Sequence, residues 1–508
     1  MEGFLKNKLH VFFLILSCSI IYNFGALTQT YYFYDDIGRN AIGYGYYDMK
    51  GFGEYADTGR PAAEVVIRLL SGWFGRPMDV IALDVHPLTK IISILCLAFA
   101  GWVVYVAILK KETWTALLVS LIVVFSPYYI SCMQYRFDSA TIGLALFFSV
   151  LPFVVNHRRY YIHYFVCYLV MLCFYQSFLA VPVILIATIL MRDYFDSGKI
   201  NSTEQKYWLK AIIAIFAAFF CYKLLLMMLP ARPYTILHGR FIPLSLYGWV
   251  VFKINFVRLI NIFFSPYQGV AGIVFIFLVL LSLIGIVSNA KRKGRVFWKD
   301  GVVYLTISPL LIISAILPFS LLYMPILMAR TLIGAQFSLI FCLLPICWLA
   351  SGFFKSILSG FVLLYILFSA LNSAITNAIR SQNNYEDRLY EKVLVSVDND
   401  YLPRKIYFND SGDYFSWPWL RSVKNTIQNY PFTRYILNKT YIMNDMVWAE
   451  RQAQLYNAEV QVQHLSLQKE WTFNEICHWP LKTITQEFIL YGKEDVRVID
   501  MTKAPCPE

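Results

Sequence analysis

Residues 11–28 read VFFLILSCSIIYNFGALT, and QTYYFYDDIGR follows at once as residues 29–39. The first stretch carries no charged side chain. Wound as a helix, it approaches the ~20 residues that cross a hydrocarbon layer of about 30 Å. Lys6 and Lys8 precede it as they would in a signal peptide, but no small-residue cleavage site closes it. The sequence therefore predicts an uncleaved first membrane helix from which a Tyr-rich acidic segment emerges directly.

Ten more apolar runs follow, at 87–109, 113–133, 140–156, 160–177, 178–191, 211–229, 270–288, 302–322, 332–350 and 356–375. The continuous stretch 160–191 exceeds one crossing and divides near Gln176, where polar residues and Pro182 interrupt a helix. About eleven crossings define an all-α polytopic membrane protein. A composition of 58% hydrophobic and 15% charged residues makes the bilayer the main solvent and excludes a soluble enzyme. Aromatic residues reach 17%, as suits many helix ends at headgroup depth.

The net charge of +12 sits largely in short loops: Lys6 and Lys8, Lys110 and Lys111, Arg158 and Arg159, Lys206 and Lys210, and Lys291-Arg292-Lys293-Gly294-Arg295. From a cytoplasmic N-terminus every cluster lands inside, which makes the charge a topology signal and removes nucleic acid as a partner. Parity then exports the loop 29–86, the turn 134–139, the loop 230–269 and the tail. The expected domains are a transmembrane part, 1–375, and a small mixed α/β C-terminal domain, 376–508. In the tail, 404–408 and 488–490 read as strands and 445–456 as an amphipathic helix. In the first loop, 62–74 places Val65, Val66, Leu69 and Leu70 on one face beside Glu64 and Arg68, as in a helix lying along the membrane surface; 241–264 reads similarly.

Most of the ten cysteines lie inside apolar runs without metal-ligand spacing. Cys477 and Cys506 fall in the polar tail, whose export would permit a disulfide between them. His86, His163 and His238 show no metal-binding spacing, so no metal is assigned. Trp417, Trp419 and Trp471 are candidates either for the core of the tail or for stacking on sugar faces.

Chemistry concentrates outside. Asp35 and Asp36 stand beside Arg39, with Asp48, Glu54 and Asp57 before Gly59-Arg60-Pro61. Adjacent carboxylates raise each other's proton affinity and a nearby arginine lowers it, so the pair could be poised as a general base. Asp is equally a favoured N-cap for a helix beginning near Ile37. Tyr135-Arg136-Phe137-Asp138-Ser139 is either a surface ion pair, worth under about 1 kcal/mol, or a charged turn facing a cavity. Arg330, after Met324-Pro325 and Met328, either snorkels or grips a phosphate with its planar fork. Arg39, Arg60, Arg136, Arg232 and Arg240 are rivals for that role. Gln176 needs hydrogen-bond partners, from another helix or from a sugar hydroxyl.

A basic stub, one helix, a Tyr-rich Asp-Asp-x-x-Arg segment and then Gly-Arg-Pro, with Tyr135 to Ser139 and Tyr175-Gln176 further on, resembles the integral-membrane O-antigen glucosyltransferases of the Gtr type-II family. These are serotype-modifying enzymes, often phage-encoded. The resemblance implies a GT-C-like fold, an essential acidic residue in the first external loop, undecaprenyl phosphate glucose as donor and a lipid-linked O-antigen repeat as acceptor. Transfer would occur on the periplasmic face of the bacterial inner membrane, placing the first loop and tail in the periplasm. Asp35 or Asp36 would then be the catalytic base, Arg39, Arg60, Arg136 and Arg330 would hold the donor phosphate, and Asp138 and Gln176 would contact substrate. Single displacement would invert the anomeric centre. No cofactor is implied, and dependence on a divalent cation stays open. An O-antigen polymerase would share the lipid-linked substrate, whereas a lipid-sugar flippase would call for an internal repeat and ionisable groups near the midplane.

Overall fold

The structure, a computed structural model, describes residues 2–33, 35–42, 54–70, 83–155, 161–229, 233–397, 405–409, 419–437, 461–464, 471–485 and 487–502. Eight of its helices are long and apolar enough to cross a membrane: Leu88–Leu109, Gln176–Ser197, Ser202–Met228, Leu246–Tyr267, Val270–Arg292, Phe297–Ser320, Ala329–Trp348 and Ser351–Val397. Three shorter apolar helices, Lys8–Tyr22, Ser139–Phe153 and Ile162–Phe174, accompany them. With a five-stranded sheet near the C-terminus, the protein is an all-α polytopic membrane protein carrying a small mixed domain.

Two expected segments differ. Run 113–133 is not one helix: Trp114–Leu121 gives way to turns around Ser126-Pro127 before a single helical turn at Ile130–Met133. Proline removes a backbone donor there. Irregular backbone is tolerated because the segment is buried in protein, with the Tyr128 hydroxyl donating to the Phe263 carbonyl and Tyr129 bonded to Ser93 over 2.7 Å. Leu246–Tyr267 is a 22-residue helix that meets the length and composition of a crossing, where an interfacial helix was expected. The break at Gln176 is present: Ile162–Phe174 stops, Tyr175 is extended, and Gln176 opens the next helix.

The chain forms two compact units, Met1–Thr28 with Met49–Leu70 and Val85–Ala374, and Gln29–Asp48 with Ser71–Asp84 and Ile375–Glu508. In the first, Ala329–Trp348 is the inner helix, 94% buried, whereas Phe297–Ser320 is 22% buried. Outer helices expose Phe216, Phe220, Leu305 and Leu310, surface that suits acyl chains. Ser139–Val150 crosses Leu88–Val103 at Gly143, where a Cβ would lie 2.6 Å from the Ser93 Cα, so only glycine permits the approach. Fully buried Lys90 donates over 2.9 Å to the Ala26 carbonyl in the short helix Phe24–Leu27, a cation at a helix C-terminus.

In the second unit, β1 (Lys405–Asn409), β2 (Gln461–His464), β3 (Leu481–Ile484), β4 (Ile489–Lys493) and β5 (Val496–Asp500) form a sheet of order β2-β1-β5-β4-β3. The first two pairings are parallel and the last two antiparallel. Tyr407, Ile476, Trp479, Tyr491, Val496 and Val498 build its core, with Trp471 packed against them. Trp419 is buried as well. Trp417 and the expected helix 445–456 lie outside the described residues.

Candidate active site

Gly59-Arg60-Pro61 is a junction between two helices. Glu54–Asp57 is closed by Gly59, whose φ of +81° is left-handed. The Gly59 N–H donates to Ala56 over 2.9 Å and the Arg60 N–H to Tyr55 over 2.7 Å, the paired bonds of a Schellman stop. Pro61 then opens Pro61–Leu70, where its missing N–H costs nothing. Glycine stops one helix, proline starts the next, and Arg60 is the single residue presented between them.

The arginine is held on several sides. Its Nε donates to the Thr58 hydroxyl over 3.1 Å. The guanidinium lies 5.1 Å from the ring centre of Tyr55 and 5.8 Å from that of Tyr175, a placement favoured by the negative ring faces. One Nη stands 3.9 Å from Asp138. Asp138 is only 2% exposed and also accepts a short hydrogen bond from the Tyr55 hydroxyl. The surface ion pair considered for 135–139 is therefore replaced by a buried carboxylate whose partners come from the Gly-Arg-Pro region.

Arg330, opening the short helix Ala329–Ala335, places its guanidinium 4.8 Å from the Tyr135 ring centre. Tyr135 and Asp138 belong to one turn, so Arg330 on the first and Arg60 on the second approach the same segment, and the helix Ala329–Ala335 packs so closely beside Gln176 that a Cβ on Gly334 would lie 2.8 Å from the Ser177 carbonyl. Four of the sequence candidates, Arg60, Asp138, Gln176 and Arg330, thus belong to one neighbourhood of the first unit. Arg60, Arg330 and Asp138 share this interior region with two further buried carboxylates, Asp57 and Glu64, the latter paired with Arg68. The Arg136 carbonyl accepts from the Thr89 hydroxyl. Arg240, exposed, stacks 5.8 Å from the Tyr323 ring, and Arg232 lies outside the described residues.

Gln176 turns its amide nitrogen inward: Nε2 lies 2.8 Å from the Gly59 carbonyl, 3.1 Å from that of Leu172 and 2.6 Å from the Tyr222 hydroxyl. Of its two alternatives, contact with other protein segments is what Nε2 makes.

In the second unit, Asp35 and Asp36 form the first turn of the helix Asp35–Ile42. Asp36 is fully buried, accepts from the Phe33 N–H at 3.4 Å and lies 3.7 Å from the equally buried Arg39. Asp36 thus makes a capping-type contact and an ion pair, while Asp35 is half-buried. Tyr31, nearby, has its hydroxyl pushed well above the ordinary range by burial, against the pull of Arg380 and with a push from Asp36.

Tyr55, Tyr222 and Glu64 escaped the sequence candidates for this site. Glu64 is buried and accepts from the Tyr55 N–H over 2.9 Å while pairing with Arg68 at 2.6 Å; the neighbouring Val65 and Leu69 are exposed. Its four-residue spacing from Arg60 was the available signal. Cys477 is half-buried at the end of the helix Phe473–Cys477, and Cys506 lies outside the described residues.

A bundle of helices long and apolar enough to cross a membrane thus holds Arg60 beside the buried Asp138 carboxylate and Arg330 against Tyr135 of the same turn. The chain belongs to the glucosyl transferase GtrII family, which it matches over residues 24–347. It is also 23% identical, over 474 residues, to an uncharacterised 55.3 kDa protein from the gtrB 5′ region of Salmonella phage P22, covering 89% of this chain and 93% of that protein. No solved structure matches it. Glucosyl transfer within a membrane is accordingly its class of activity.

Proposed function

We propose that this protein transfers glucose from undecaprenyl phosphate glucose to a hydroxyl of a lipid-linked O-antigen repeat, on the periplasmic face of the inner membrane, and so alters the lipopolysaccharide serotype. The observation that carries the donor assignment is the interior neighbourhood in which Arg60 lies on the Tyr175 ring beside Asp138 and Arg330 lies on the ring of Tyr135 in the same turn as Asp138. A phosphate leaving group gains negative charge as its bond to sugar breaks. Arginines shielded from water stabilise that charge most effectively. Arg39 and Arg136 are further donor-phosphate candidates.

In the reaction proposed, an acceptor hydroxyl oxygen attacks the anomeric carbon, the bond from that carbon to the phosphate oxygen breaks, and undecaprenyl phosphate departs. Asp35 or Asp36 takes the hydroxyl proton. We assign the proton to Asp35, which is half-buried and so open to an acceptor, whereas Asp36 is fully buried with Arg39 beside it. Asp138 and the Gln176 carbonyl oxygen are the proposed contacts to substrate hydroxyls. The enzyme works as a GT-C-type transferase, by one displacement with inversion.

Membranes containing the protein, labelled undecaprenyl phosphate glucose and lipid-linked acceptor test this directly. The acceptor should gain one labelled glucose per modified repeat without lengthening, and nuclear magnetic resonance should show an inverted anomeric centre. Chain extension on a gel would instead support a polymerase, and retained configuration would exclude single displacement.

A further inference from the structure

The carbonyl of Gly59 receives two side-chain donors at once. Gln176 Nε2 lies 2.8 Å from it and the Tyr222 hydroxyl donates over 2.8 Å, with 2.6 Å between the two side chains. The donors reach it from different helices, Gln176–Ser197 and Ser202–Met228. A carbonyl oxygen has two lone pairs, so this one is filled. Tyr222 is 3% exposed, and a buried hydroxyl is costly unless bonded. The fit is close: a Cβ on Gly59 would stand 2.9 Å from the Tyr222 hydroxyl oxygen. The planar peptide joining this carbonyl to Arg60 transmits any rotation at Gly59 directly to the arginine, whose guanidinium sits between the Tyr55 and Tyr175 rings.

We propose that Gln176 and Tyr222 are positioning residues for Arg60: by clamping the Gly59 carbonyl from two helices, they fix the peptide plane that aims the guanidinium. The inference rests on Arg60 holding the donor phosphate, as proposed above. The clamp acts through the backbone, so the amide nitrogen and the tyrosine hydroxyl need not touch the reacting atoms.

Tyr222→Phe and Gln176→Leu remove the donors while keeping most of the packing. Two measurements decide the matter. The first is the rate at which phenylglyoxal modifies Arg60 in the purified protein, read by mass spectrometry, which requires no substrate; it should rise severalfold in each variant as the held guanidinium is released. The second is kcat for glucose transfer, corrected for folded protein, alone and combined with Arg60→Lys. Tyr222→Phe should lower kcat roughly tenfold with KM altered less than about twofold, Gln176→Leu should lower kcat by a similar factor, and in the Arg60→Lys background the further loss in kcat should shrink to under about twofold for each. An unchanged modification rate, or losses that simply multiply in the double variants, overturns the clamp. Absence of glucose transfer by the unaltered protein would sink the donor assignment instead, while the modification rate still decides the clamp. If Gln176→Leu does not accumulate, Tyr222→Phe alone settles it, since only one oxygen is removed.

Discussion

The Tyr55 hydroxyl donates a hydrogen bond to the buried carboxylate of Asp138, joining residues 83 positions apart. Tyr55→Phe removes that bond and leaves Arg60 in place, 3.9 Å from the carboxylate. Taking a donor from a buried carboxylate should cost about 1–3 kcal/mol of stability. Thermal unfolding in detergent and transfer in membranes both report on this, and wild-type values in both would show the bond to be dispensable.

The two adjacent carboxylates should separate by phenotype. Asp36→Asn breaks a buried pair with Arg39, a change that typically costs about 3–5 kcal/mol, and should lower the amount of folded protein. Asp35→Asn should leave expression normal while transfer falls at least about 100-fold, as loss of a general base does. Full transfer by a well-expressed Asp35→Asn variant would falsify its assignment as the base.

Gly59→Ala should be more damaging than its size suggests. Alanine at φ +81° pays roughly 1–2 kcal/mol in backbone strain, and its methyl must displace the Tyr222 hydroxyl. The expected result is lower thermal stability together with lower transfer; Gly239→Ala, whose added methyl would meet nothing within 4 Å, is the control. Equal behaviour of the two variants would contradict the close fit at Gly59.

At the C-terminal domain, Glu475 completes a capping box with Thr472, whose N–H donates to it over 2.6 Å and whose hydroxyl lies at 3.0 Å. These bonds hold the Glu475 carboxyl below its usual range. The stabilisation is therefore present above the ordinary glutamate pKa and lost as pH falls through the lowered one. Amide exchange at Phe473–Cys477 should accelerate, beyond its intrinsic pH trend, on acidification, and Glu475→Gln, which can still cap, should remove that extra acceleration. The same pH response in both proteins would point to another group.

Much of the architecture was legible because crossing helices need long uncharged runs, and the break at Gln176 was visible as a polar interruption. Run 113–133 misled for a physical reason: a segment buried among helices is as apolar as one facing lipid, so hydropathy cannot distinguish turns around Pro127 from a straight span. Leu246–Tyr267 was obscured by Lys253 and Arg258, which lower its hydropathy. β1 and β4 were anticipated, while β5 hid behind Arg497 and Asp500, both buried in the fold. At the candidate site, arginines and carboxylates stood out by charge. Tyr55 and Tyr222 did not, because their partners are set by long-range packing that no local spacing encodes.

The bond from the Tyr55 N–H to Glu64 closes a ring around the Gly-Arg-Pro junction, spanning nine positions. Within such a ring the number of residues is as binding as their identity. One residue added between Pro61 and Glu64 would turn the glutamate by about 100° around its helix, away from the amide it holds. One added between Tyr55 and Gly59 would move Arg60 off the two aromatic faces. Related chains should therefore tolerate changed side chains in this segment far more readily than a changed length.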